Sequence, residues 1–468
     1  MARLGFLERE RTVASPGFNR WLIPPAALSV HLCIGEIYAF SVFNDPLSRV
    51  LGIDYSIEGK DWTIPQIGWT YSIALMMLGL SAAFFGRWVE RVGPRRTMFG
   101  SACCFCGGLW LSSLGVALHS IAVVYLGYGV IGGIGLGLGY ISPVSTLVKW
   151  FPDRPGMATG LAIMGFGGGA LIGAPLSLDL MAAFHSPTSV GVKETFAVMG
   201  CLYFALMLFG AFLIRVPAPG WRPEGFVPAT RARKLVTSEQ VAVENAWKTP
   251  QFWLLWMVLC MNVTAGIGIL GQASLMAQNM FGVSAAVGAG YVGLLSLFNM
   301  GGRFFWSSMS DITGRKVIYG VYFAFGALLY LLVPETQKLQ SIPLFVLVTA
   351  VIISMYGGGF ATIPVYLRDL FGTMHLGAIH GRLITAWSMA AILGPQLVNY
   401  ISTYRINHGV PKAQAYNATM YLMVGLMSLG FLCNLLVRPV HERFHHFEEP
   451  LASPEPETIA GRHEQGKA

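Results

Sequence analysis

Apolar runs of about twenty residues or more follow one another along this chain, each closed by charge, Pro or Gly, and they leave it few ways to fold. A run of that length crosses the ~30 Å hydrocarbon core of a bilayer as a helix. Only helices and closed barrels satisfy their backbone groups there. About twelve runs begin near Trp21, Trp62, Thr97, Ile121, Gly156 and Phe196, then near Phe252, Val283, Val317, Pro343, Leu376 and Ala418. Between the two sets, Arg215 to Pro250 carries Pro217, Pro219, Pro223 and Pro228 among Arg222, Arg231, Arg233 and Lys234. The chain reads as an all-α membrane protein with two six-helix bundles, at 20–215 and 251–438. Cytoplasmic segments at 1–19, 216–250 and 439–468 flank and join them.

At 468 residues a water-soluble chain would suggest two or three domains, but 54% of the residues are apolar and only 12% are charged. The net charge of +8 could point to nucleic acid. The cations, however, gather in short loops between apolar runs, as membrane orientation requires. With the N-terminus inside, Arg87, Arg91, Arg95, Arg96, Lys149, Arg154, the linker, Arg315, Lys316 and Arg368 are cytoplasmic. The other side keeps Arg49, Lys60, Lys193, Lys338, Arg405 and Lys412. Both termini are thus expected in the cytoplasm of a cell bounded by this membrane, the bacterial inner membrane being the expected one. The N-terminus lacks the apolar core and cleavage site of a signal peptide. Seven cysteines lie within apolar runs without metal-ligand spacing and read as small buried thiols.

The halves repeat. The turn from Gly86 through Glu90, Arg91, Gly93 and Arg95 recurs from Ser307 through Asp311, Gly314 and Arg315, the two acids lying 221 residues apart. The same offset relates Pro143 to Pro364, Gly156 to Gly377 and Gly160 to Gly381. Two like-oriented six-helix repeats are the architecture of a rocking secondary transporter.

A doubled turn of this form resembles the signature loop of the major facilitator superfamily. Within it, Gly35–Phe43, Val148–Ala170, Asp369–Pro395 and Asn434–Pro439 resemble the oxalate/formate antiporter family. The resemblance implies that Gly86, Glu90, Arg91, Gly93, Arg95, Asp311, Gly314 and Arg315 lock one conformation through charge pairs and helix-end dipoles. A loop that only sets topology is the alternative. Ser307 replaces the usual Gly, so looser packing is expected in the second turn.

Arg303 sits within an apolar run, where a charge that is never neutralised costs roughly 2.5–3.5 kcal/mol on insertion scales. Either it faces a wet cavity or partner charge, or it snorkels towards the inner surface. Asn299, one turn earlier, shares its face. The resemblance implies that an Arg at this position binds substrate carboxylate. In that family a Lys within T-A-K supplies a second cation, and here the triplet is Thr385-Ala386-Trp387. A dianion is best held by two fixed charges and a monocarboxylate by one, so formate, lactate or pyruvate is expected rather than oxalate. Trp387 offers a flat wall or an indole donor.

In the first run His31 and Tyr38 share a helical face, and Glu36 points elsewhere. Tyr38 matches an aromatic position that lines the family's cavity. His31 is a candidate for substrate contact and proton coupling or a hydrogen-bonded structural residue, and Glu36 is a second proton site or a partner for another helix. Arg382 either lines the cavity or pairs structurally, and Asp179 is expected to be exposed.

Gly135-Leu-Gly137-Leu-Gly139 lacks the preceding strand of a dinucleotide fingerprint and reads as close helix packing. No nucleotide-binding loop, catalytic set or cofactor site is recognised, and His441, His445 and His446 read as a solvated tail. The expectation is a monomeric, non-enzymatic carrier of small carboxylates working by alternating access, as anion exchanger or proton symporter. An oxalate exchanger and a proton-linked efflux carrier of apolar compounds are the alternatives.

Overall fold

The structure is a computed structural model that describes residues 5–226, 235–237 and 239–445. Pro228, Arg231, Arg233 and Lys234 of the expected linker, and the tail from His446 onward, lie outside the described residues. Among the described residues, eleven helices are long and apolar enough to cross a bilayer. They are α1 (Arg20–Leu47), α2 (Ile64–Val92), α3 (Pro94–Ala117), α4 (Ile121–Trp150), α5 (Pro155–Phe184), α6 (Val192–Leu213), α7 (Pro250–Leu270), α9 (Arg315–Lys338), α10 (Ile342–Phe371), α11 (Leu376–Asn407) and α12 (Lys412–Leu436). Between α7 and α9 runs α8, Ala285–Thr313, which at 29 residues is also long enough to cross and carries Arg303.

Local chemistry sets the ends. Thr63 and Gln66 close a capping box at the start of α2, and Pro opens α2, α3, α5, α7 and α10. Gly93, at φ 82°, ends α2 and begins α3. Gly314, at φ 94°, does the same between α8 and α9. A one-residue corner in this region of φ needs glycine, which explains why both signature turns keep theirs.

The halves meet through α2 against α11 and α5 against α8, with α5 also touching α10. The sequence repeat becomes a crossed set of contacts. A Cβ on Gly160 of α5 would lie 2.9 Å from the Arg303 carbonyl oxygen, and one on Gly381 of α11 would lie 2.2 Å from that of Ala82. Ala82 is the 221-residue counterpart of Arg303, so the repeated glycines let equivalent helices approach across the interface.

Gly135, Gly137 and Gly139 serve close approach within the first half, where added Cβ atoms would meet Phe105, Leu78 and Ser101 at 2.4–2.5 Å. Two expectations need correction. Cys103 and Cys201 are exposed and Cys104 is partly so; a small apolar thiol suits a lipid-facing surface as well as a core. Ser307 does not loosen the second turn. It is buried, its Oγ donates to the Gly156 carbonyl at 2.5 Å, and it lies 3.1 Å from the Thr159 hydroxyl.

Candidate functional site

Arg303 is fully buried at the interface of the halves. Its Nε donates to Asn299 Oδ1 at 3.1 Å, and Nη1 donates to the Ile163 carbonyl of α5 at 3.4 Å. The first bond follows from the one-turn spacing of the two residues on α8. Nη2 has no hydrogen-bond partner, and no carboxylate pairs with the side chain among the described residues. The guanidinium lies over the rings of Phe166, at 5.7 Å, and Phe360, at 5.3 Å. These contacts offset part of the cost of burying the charge. Gly167 leaves the room, since a Cβ there would come within 2.7 Å of Nε.

The other expected residues close around this group. Trp387 is buried against Phe360, Phe166 and Tyr140, with ring centroids 4.5, 5.3 and 5.6 Å away. Its indole Nε1 is unpartnered. Tyr38 packs edge-on to Phe166 at 5.2 Å, and its hydroxyl lies 3.1 Å from that of Tyr356 on α10. His31 stacks on Tyr140 at 5.6 Å and donates from Nε2 to the Tyr140 carbonyl at 3.3 Å, leaving Nδ1 unpartnered. Arg303, Asn299, Tyr38, His31 and Trp387 therefore belong to one aromatic box drawn from both halves. The box presents one buried cation with an unused N–H, walled by rings.

Sequence reading missed Phe166, Phe360, Tyr140 and Tyr356, whereas His380, seven residues before Trp387, was expected on the face of Trp387. For Phe166 a signal existed, because it is the 221-residue counterpart of Trp387 and touches it. Tyr140 and His380, 5.7 Å apart by ring centroid, each end in a polar atom without a partner among the described residues, and no single-helix periodicity flags Tyr140. Glu36 stands apart from the box: its Oε2 accepts from Tyr128 of α4 at 3.0 Å. Arg382 donates to the Val243 carbonyl at 2.9 Å, so it ties α11 to the segment before α7. Asp179 is exposed.

At the turn end each acid caps a helix of the opposite half. Asp311 accepts from the backbone N–H groups of Gly156 and Met157, both at 2.9 Å, at the start of α5. Glu90 accepts from the Gly377 N–H at 2.9 Å, at the start of α11. A carboxylate at a helix N-terminus meets unpaired N–H groups and the positive end of the dipole. Arg315 joins Asp311 at 2.6 Å to Asp369 at 3.3 Å, a partner the sequence did not suggest. Arg95 is not a cross-half bridge: it donates to the Phe6 carbonyl at 3.0 Å and to that of Phe212, at the end of α6, at 3.4 Å. Arg91 is exposed.

The Major Facilitator Superfamily profile matches residues 18–395 and 302–462. The chain is 28% identical to an oxalate:formate antiporter of Oxalobacter formigenes over 387 residues, covering 82% of this chain and 85% of that one. It is 25% identical to apicoplast pyruvate carrier 1 of Toxoplasma gondii, covering 77% and 73%. A solved structure of the superfamily transporter FucP in the outward conformation superposes with a TM-score of 0.60 at 15% identity, over 87% of this chain and 98% of that one. At that identity the likeness concerns the fold.

Proposed function

From membership of the Major Facilitator Superfamily, to which this chain belongs, we propose that it carries small monocarboxylates such as formate, lactate or pyruvate by alternating access. The observation that carries this reading is Arg303: a fully buried guanidinium whose Nη2 has no partner among the described residues; the resemblance to the oxalate/formate antiporters adds that Trp387 stands where that family has a second cation. The substrate carboxylate accepts from Nη2, Asn299 holds the guanidinium plane through Nε, and Trp387 Nε1 supplies a neutral donor. Phe166, Phe360, Tyr38, Tyr140 and Tyr356 exclude water, which strengthens the single charge pair. The names of the two relatives, with formate and pyruvate in them, support this substrate class.

Movement requires the turn end to open. Glu90 must leave the start of α11 and Asp311 the start of α5, and these two caps hold the halves together at the face that the Lys and Arg bias assigns to the cytoplasm. Residues 20–215 and 251–438 act as the two moving bodies, in an inner membrane with both termini inside. Transport proceeds as anion exchange or proton symport, with His31 and Glu36 as candidate proton sites. A dicarboxylate reading has one observation in its favour: the imidazoles of His31 and His380 flank Tyr140, and protonation of either would add positive charge to the box.

Arg303→Lys keeps the charge but loses the planar fork and the Asn299 contact. Its carboxylate uptake in proteoliposomes is expected to fall by about ten- to a hundredfold, the worth of one charge-assisted hydrogen bond. Unchanged uptake of every small acid tested would refute the assignment.

A further inference from the structure

Two stretches of non-α backbone meet inside the first half. Gly35–Phe43 of α1 is a 3-10 helix of nine residues, and Tyr125–Gly132 of α4 is a π-helix of eight. Long 3-10 runs are uncommon, and π turns concentrate at functional positions. The two are joined by the Tyr128–Glu36 hydrogen bond and by the rings of Phe40 and Tyr128, 4.8 Å apart.

Glu36 is fully buried, and its Oε1 has no partner among the described residues. The titratable groups next to it are Tyr128 of α4 and Tyr203 of α6, with Tyr71 of α2 beyond Tyr128, and Cys106 of α3 and Cys33 of its own helix beyond Tyr203. From α5 it meets Gly173, where a Cβ would lie 3.0 Å from Glu36 Cγ. None of these is a cation. A carboxylate left there with one neutral donor and no countercharge is a poor arrangement, and a proton on Oε1 resolves it.

The same 3-10 stretch carries Tyr38 two residues later, and Tyr38 touches the second half through Tyr356. A 3-10 helix turns ~120° and rises ~2.0 Å per residue, against ~100° and ~1.5 Å in an α-helix. Converting nine residues would therefore rotate one end of the stretch against the other by roughly 180° and shorten it by about 4–5 Å. Anything that biases this backbone at Glu36 is felt at Tyr38.

We propose that Glu36 is the proton-binding residue of this carrier, and that its proton sets the backbone form of Gly35–Phe43, which Tyr38 relays to the substrate site. The proton adds to Oε1 in the buried cluster and returns to water when α1 turns Glu36 outwards, with no other bond made or broken. This coupling role rests on the transporter reading, but the first test needs no cargo.

That test is amide hydrogen exchange of the purified full chain in mildly acid and mildly alkaline buffer, corrected for intrinsic exchange rates. Protection of residues 35–43 is expected to differ by about tenfold between the two buffers, the behaviour of a segment with two backbone forms. Glu36→Gln should abolish the difference, and Tyr128→Phe should displace its pH dependence. Tyr125→Phe, in the same π turn but bonded to the Gln66 carbonyl at 2.6 Å, should leave it intact. Unaltered protection of α9 shows that a variant is folded. A wild-type segment with no pH response, or one that persists in Glu36→Gln, overturns the proposal whatever the cargo proves to be. In liposomes, acid-driven carboxylate uptake by Glu36→Gln at the wild-type level would overturn the coupling role.

Discussion

The two signature turns share a fold and differ in how they are held. In the first, Glu90 caps α11 and has Lys149 at 3.6 Å, with the lysine side chain 34% exposed. In the second, Asp311 takes two N–H groups of α5 and belongs to a buried group with Arg315 and Asp369. The repeat offset shows why. The counterparts of Arg315 and Asp369 are Pro94 and Val148, so the first half lacks the atoms for that network. The same offset sets Ala82 against Arg303. The helix caps and glycine contacts between the halves recur at the repeat offset, whereas the buried Arg303 and the Arg315–Asp369 pair belong to the second half alone.

That asymmetry can be broken most severely at the cation. Arg303→Ala should lower carboxylate uptake about a hundredfold or more, since losing one member of a buried, hydrogen-bonded charge pair costs 2–5 kcal/mol. Ala82→Ser, its counterpart, should change uptake by less than about twofold.

The latches come next. Asp311→Asn leaves a mostly buried Arg315 with the Asp369 carboxylate and the Ser310 hydroxyl and weakens two N–H contacts, for an expected loss of about 2–4 kcal/mol in unfolding experiments in detergent. Glu90→Gln weakens one N–H contact and removes a partly solvated ion pair, and should cost about 1 kcal/mol. Equal losses would mean that the second latch has no special weight.

The smallest contrast lies at the repeated glycines. A Cβ on Gly156 would meet the Ser307 carbonyl oxygen at 2.2 Å, whereas one on Gly377 would meet the end of the flexible Glu90 side chain at 2.6 Å. Gly156→Ala should raise amide exchange at the start of α5, and Gly377→Ala should barely change it at the start of α11.

Much of this was legible in the sequence, because each legible feature lies along one helix or one repeat. Apolar runs located the helix starts to within six residues, the widest miss being α12, which begins at Lys412 rather than near Ala418. The offset found Gly156 and Gly377 before their partners were visible, and the cost of a charge in an apolar run singled out Arg303. What stayed hidden depends on neighbours distant in sequence. Tyr140 and Phe360 enter the box only through the crossing of α4, α10 and α11, and Asp369 meets Arg315 across 54 residues. The 3-10 and π stretches were invisible too, since apolar periodicity over eight or nine residues does not separate them from an α-helix.

The central claim is that one fixed cation, with Trp387 in place of a second, selects singly charged acids. Counterflow in proteoliposomes loaded with formate and challenged with labelled formate, lactate, pyruvate, acetate or oxalate tests it directly. The account predicts saturable exchange of monocarboxylates with little oxalate flux, and a shift towards oxalate in Trp387→Lys. Saturable oxalate exchange by the wild-type protein, at or above the monocarboxylate rate, would contradict it.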